Sequence, residues 1–175
     1  MKDVKDWTGN YHSIYTTLGA SKHELGERAK YDYYATEPRA VELLLEQEKF
    51  APVIWECACC EGHVSKVLEQ AGYKVISTDL IYRGFGQNES LDFLSEMANE
   101  SFDGDIITNL PYKYALEFLE QAIKVIKPQA KVAIILKLTF LEGKKRRKFF
   151  EKNPPKFVYV SSARLFCAMC CPQTL

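Results

Sequence analysis

Short β-branched runs alternate with helical stretches through the middle of this chain, and that alternation restricts its fold more than any other feature. "APVIWEC" reads as a short buried strand. "HVSKVLEQAG" follows, with Val64, Val67, Leu68 and Ala71 at helical spacing and Gly72 to stop it, and then the strand-like "YKVISTDL". The pattern recurs more loosely. "FDGDIITN" is a buried strand, "KYALEFLEQAIKVI" puts Ala115, Phe118, Leu119, Ala122, Ile123 and Ile126 on one helical face, and "AKVAIILKL" is another strand. Upstream, Pro38 suits a first helical turn begun by Thr36 or Glu37, and "RAVELLLEQEKF" places Val41, Leu44 and Leu45 on one side. Units of this kind predict an α/β fold with a mostly parallel sheet, helices on both faces and right-handed crossovers. Residues 1–30 are polar and aperiodic and are expected to form an arm packed on the domain of residues 31–175.

At 175 residues, with 47% hydrophobic and 13% aromatic content, the chain has enough apolar material for one core. Lys+Arg and Asp+Glu both number 23, so any nucleic-acid surface has to be local. No apolar run approaches the roughly 18 residues of a membrane span, and the first residues lack the apolar stretch of a signal peptide. The expectation is a cytoplasmic protein without a membrane partner, whose six cysteines are thiols rather than disulfides.

Parallel sheets bind ligands beyond the carboxyl ends of their strands, which directs attention to three loops. The first is "WECACCEGH": a strand ending in Glu56, a turn of small residues, and a helix starting near Gly62, whose backbone N–H groups suit a cofactor. Zinc is the rival, but Cys57, Cys59, Cys60 and His63 lack the C-x2-C spacing that wraps a tetrahedral ion, and no metal is assigned. The second is "VISTDL", where Asp79 is placed either to accept hydrogen bonds from two ribose hydroxyls or to cap its own turn. The third is "DIITNLPYKYALEF". Here the side-chain oxygen of Asn109 and the carbonyl of Leu110 suit an amino group and Tyr112 suits stacking, while a plain strand-to-helix turn uses the same residues.

In this order and spacing the residues resemble the amino-group methyltransferases of the adenine-N6 type that carry an N-P-P-Y motif. Among these the chain is most similar to small phage- and prophage-associated proteins of bacteria. The resemblance spans about Trp7 to Arg164. It implies a Rossmann-like class I methyltransferase sheet and S-adenosylmethionine as cofactor. "DYYATEP" matches the segment at the methionine end, through Thr36; "ECACCEGH" matches the glycine loop, through Glu56, Ala58, Cys60, Glu61 and Gly62. "STDL" supplies Asp79 and Leu80 for the ribose, "LDFL" supplies Asp92 and Phe93 beside the adenine, and "NLPY" supplies the catalytic Asn109, Leu110, Pro111 and Tyr112, with Asn109 also touching the cofactor. The implied reaction is methylation of adenine N6 in DNA, with the base flipped out of the duplex. Lys144, Lys145, Arg146, Arg147 and Lys148 would then contact phosphates, unless they form a solvated helix face. The same chemistry on RNA or on a protein glutamine, and a degenerate module without catalysis, are the alternatives.

Three departures carry their own expectations. Cys60 stands where the family has glycine, so a left-handed backbone there costs of order 1 kcal/mol. Leu110 replaces the first proline of the motif but keeps its carbonyl. "ARLFCAMCCPQTL" no longer resembles the family and reads as a divergent end, so the final strand expected between Val132–Leu136 and Phe157–Val160 is lacking. That would leave a sheet edge open to association.

Overall fold

The structure, a computed structural model, describes residues 35–87, 90–95 and 101–162 and the backbone of 167–168. The arm expected over residues 1–30 lies outside the described residues. In chain order the elements are β1 (Ala35–Thr36), α1 (Pro38–Gln47), β2 (Val53–Glu56), α2 (His63–Gln70), β3 (Lys74–Ser77) and β4 (Asp105–Thr108). They continue with α3 (Ala115–Val125), β5 (Val132–Ile134), α4 (Lys144–Lys152) and β6 (Cys167–Ala168), with 3-10 turns at Tyr112–Tyr114 and Leu138–Leu141. Four strands form one sheet in the order β3-β2-β4-β5, and every pairing in it is parallel. The fold is therefore α/β with a parallel sheet flanked by helices, as the alternation predicts, and is compatible with a Rossmann-like arrangement.

Side-chain alternation along the strands sorts the core into two layers. Ile54 and Ile107 point to the face covered by Val41 of α1 and by Val64 and Leu68 of α2. Trp55 and Ile106 point the other way, against Ala115, Phe118, Ala122 and Val125 of α3. Full burial of one such isoleucine or leucine stabilises the fold by about 2 kcal/mol. α1 starts as its proline predicts: Pro38 occupies the first turn and Glu37 is the extended residue before it, while Thr36 belongs to β1. At the opposite end of the sheet from the candidate loops, the buried Asp105 carboxylate accepts the N–H of Ala51 and that of Lys131, each at 2.6 Å. It thereby ties the approaches to β2 and β5 to β4.

One expectation is corrected. "KFVYVSS" is not a strand: residues 157–160 have no ladder partner among the described residues, and they are 49–64% exposed. They follow the breaker Pro154–Pro155, and Tyr159 turns to donate its hydroxyl to Glu48 Oε1 at 2.8 Å instead of packing on the sheet. The C-terminal segment, read as a divergent end, supplies β6, which pairs antiparallel with β1 in the register Ala35↔Ala168 and Thr36↔Cys167. The strand expected over Val132–Leu136 is β5, Val132–Ile134, extended by one hydrogen bond from Ile135 N to Thr108 O at 3.1 Å. Among the described residues β5 pairs only with β4 and forms an edge of the main sheet. No helix among the described residues is long and apolar enough to cross a membrane.

Candidate functional site

The strand order reverses direction between β2 and β4: the chain runs outward from β2 to β3, then crosses over to β4 and on to β5. Such a switch point leaves a crevice at the carboxyl ends of the two strands. The loops after β2 and β4 meet there, with the residues after β3 alongside.

The loop after β2 is held by its neighbours. Thr78 N donates to Glu56 O at 2.9 Å, Cys59 N to Thr78 O at 3.0 Å, and Trp55 Nε1 to Thr78 Oγ1 at 2.8 Å. Cys60 has φ 49° and Gly62 has φ 78°, so the left-handed conformation that the cysteine was expected to strain is the one it adopts. Its backbone N–H donates to Asp79 Oδ2 at 2.9 Å. Asp79 Oδ1 accepts from Ile81 N at 2.9 Å and from the Arg83 guanidinium at 3.2 Å. Asp79 thus caps its own turn and also clamps the β2 loop. A carboxylate has about four acceptor sites, of which these bonds fill three, and the side chain is 11% exposed.

Glu56 does not face this crevice. It is 1% exposed, lies under α2 and accepts a hydrogen bond from Ser65 Oγ, which in turn is 2.7 Å from Ser77 Oγ. Burial pushes its carboxyl up to about 8, against the hydrogen bond from Ser65. Cys57 and Cys59 are buried as well. Burial first, and the negative charges of Glu56 and Asp79 second, push all three thiols up, that of Cys59 to about 12. They are protonated, apolar packing groups at neutral pH. Among the described residues no group of three His, Cys, Asp or Glu side chains is arranged to hold a metal ion.

One contact in this region escaped the sequence. The turn Arg83–Gln87 folds back over the strand ends, with Gln87 N donating to Ser77 O at 2.9 Å. Gly86 passes so close that a Cβ there would lie 2.6 Å from Ser77 O. Phe85 lays its ring on Gly62, where a Cβ would enter the ring itself, and Lys66 Nζ stands 5.0 Å from the ring centroid. The one signal was an aromatic between two glycines in "RGFGQ", and periodicity says nothing about where such a turn lands.

After β4, Asn109 and Thr36 meet. Asn109 Nδ2 donates to Thr36 Oγ1 at 2.8 Å, while Asn109 Oδ1 is buried with no partner among the described residues. Leu110 turns its side chain into the core beside Trp55 and Phe93. Pro111 has φ −64°, and the half-buried Tyr112 opens the 3-10 turn before α3, its ring centroid 5.3 Å from Lys137 Nζ. Phe93, expected beside an adenine, is a core residue packed edge-on to Trp55 at 5.1 Å. Asp92 accepts from Leu94 N at 2.9 Å and so caps its own turn. Leu80 is exposed, while Ala58 and Glu61 are half-buried at the loop.

The basic run forms one helix, α4. Lys144, Lys145 and Lys148 are exposed, Arg147 pairs with Glu151 at 2.9 Å, and Arg146 folds over the Phe140 ring at 5.0 Å. Lys145 and Lys148 line a groove of about 600 Å³ together with Ile123 and Phe149.

Of the residues expected at the site, the structure joins Thr36 to Asn109 and Cys60 to Asp79. It sends the side chains of Glu56, Leu110 and Phe93 into the core. Compared with known proteins, the chain matches no family model, no curated protein and no solved structure.

Proposed function

We propose that this chain transfers a methyl group from S-adenosylmethionine to a planar amino nitrogen, with N6 of adenine in DNA as the preferred target. The carrying observation is Asn109 Oδ1, a buried acceptor without a partner among the described residues, at the carboxyl end of a central strand. An unsatisfied buried polar atom costs about 1–3 kcal/mol, which an incoming N–H donor would offset.

The residues fit the two halves of the reaction unequally. For the amine, Asn109 Oδ1 accepts one N–H, the Leu110 carbonyl is the second acceptor, and Tyr112 stacks on the ring. Two acceptors on an exocyclic amine favour a pyramidal nitrogen and aim its lone pair. For the cofactor, Asp79 would accept a ribose hydroxyl by giving up one of the bonds that it holds to Cys60, Ile81 and Arg83. The left-handed turn at Cys60 and Gly62 exposes backbone to a ligand once the Phe85 ring moves aside. When bound, S-adenosylmethionine supplies an electrophilic methyl on a sulfonium that departs as a neutral thioether. The chain's task is then to hold the amine in line and exclude water, with no covalent enzyme intermediate. Lys144, Lys145 and Lys148 are the phosphate contacts this reading uses.

Transfer of labelled methyl to unmethylated DNA by the wild-type chain, and a loss of at least about a hundredfold in Asn109→Ala, is the expected result. Equal transfer by both chains would remove Asn109 from the reaction. Absence of transfer to DNA, RNA and protein glutamine alike would end the enzymatic reading.

A second reading, a binding module without catalysis, draws on the Phe85 ring resting on Gly62. Calorimetry with S-adenosylhomocysteine separates the two, since a catalyst has to bind this product and a module that has lost the pocket does not.

A further inference from the structure

We infer that Thr36 is a positioning residue that orients the Asn109 amide, and that the C-terminal strand β6 holds Thr36 in place. The effect on turnover rests on the methyl-transfer reading above, while the geometry does not. An asparagine side chain is nearly symmetric in shape, and which end faces a ligand is decided by what the other end bonds. Here the bond goes from Nδ2 to Thr36 Oγ1 at 2.8 Å. Thr36 is 5% exposed, so water competes little for that hydroxyl.

With one of its two amide protons committed to Thr36, the Asn109 side chain is held in one orientation, and its oxygen is buried and has no hydrogen-bond partner among the described residues. The site is therefore matched to a group that brings an N–H. A carbonyl or other pure acceptor at the same place would face oxygen against oxygen. Thr36 sets this selectivity without touching the reacting atoms.

Thr36 in turn has limited support from its own neighbourhood. β1 is two residues long, is not part of the main sheet, and is followed at once by the N-terminus of α1. Its ladder is made with β6, in the register Thr36↔Cys167. β6 thus supports the site at one remove, through the strand that carries the partner of the Asn109 amide.

The test reads the Asn109 side-chain amide by NMR, its signals assigned by their disappearance in Asn109→Ala. One Nδ2 proton of the wild type should exchange with solvent at least about tenfold more slowly than a free amide. Thr36→Val, which keeps the shape and deletes the acceptor, should abolish that protection, Thr36→Ser should retain it, and Ala168→Pro should weaken it. In methyl transfer, Thr36→Val should lower kcat about tenfold or more with KM for the cofactor within about twofold, and Thr36→Ser should recover kcat. Amide protection unchanged in Thr36→Val, or absent from the wild type, would overturn the inference. Protection that vanishes in Thr36→Val, in a chain that methylates nothing, would sustain the positioning role and overturn the function proposed above.

Discussion

Glu56 shows how a single buried group governs the response to pH. Its carboxyl sits at about 8 in the folded chain against an ordinary value of 4.5, chiefly because burial penalises the charged form. Between those values the folded state holds a proton that the unfolded state has lost. Stability from this group is full at low pH and falls as pH rises through about 8, by up to about 1.4 kcal/mol per pH unit. This is opposite to the trend of a carboxylate held charged by a salt bridge. Glu56→Gln keeps the shape and an acceptor for the Ser65 hydroxyl while removing the ionisation. Urea midpoints measured between pH 5 and 9 should therefore slope downward less in the variant than in the wild type. Equal slopes would show that the Glu56 proton is not what the folded state retains.

Among the elements, the turn Arg83–Gln87 and the loop Cys57–Gly62 have to be considered as a pair. Gly62 is committed twice, by its left-handed φ of 78° and by the Phe85 ring against its α-carbon. Gly62→Ala should cost about 2 kcal/mol or more, because the backbone penalty and the clash add. In a Phe85→Ala background the clash disappears and the cost should fall to about 1 kcal/mol, the backbone part alone. A double-mutant cycle by chemical denaturation measures the difference. If the two changes were simply additive, the ring would not be resting where the structure has it. The same pair would decide access to the loop in the proposed reading, since the Phe85 ring covers one face of Gly62. Cys60 belongs to this pair as well, because its N–H is the donor that Asp79 clamps.

In the whole molecule, the parallel sheet has the candidate site at one end and its fastening at the other. Asp105 is that fastening, with one carboxylate oxygen for each of two backbone donors. Asp105→Ala leaves both N–H groups without partners and should destabilise the chain by about 3 kcal/mol or more. Asp105→Asn keeps one acceptor and should cost roughly half as much. Thermal melts of the three chains give the order directly, and an asparagine variant as unstable as the alanine one would contradict the shared-acceptor account. Among the described residues β5 forms one edge of the main sheet, and the apolar run Phe157–Val160 is exposed.

The sequence by itself determined the alternation of strands and helices, because their periods record which residues face a core, although Ile123 on the expected apolar face and the run 157–160 are exposed. It also located the three loops, since the carboxyl ends of parallel strands follow from chain direction alone. Tertiary structure decided everything that depends on which distant segment arrives. Glu56 sits under Ser65 rather than in the loop, Phe93 in the core rather than at a ligand, Phe85 on Gly62, and residues 157–160 outside the sheet. The Thr36–Asn109 bond and the β1–β6 ladder are of the same kind. A hydrogen bond between residues far apart in the chain leaves no periodic trace. Its partners are ordinary threonines, asparagines and alanines until the fold brings them within 3 Å, as it does at 2.8 Å for Thr36 and Asn109.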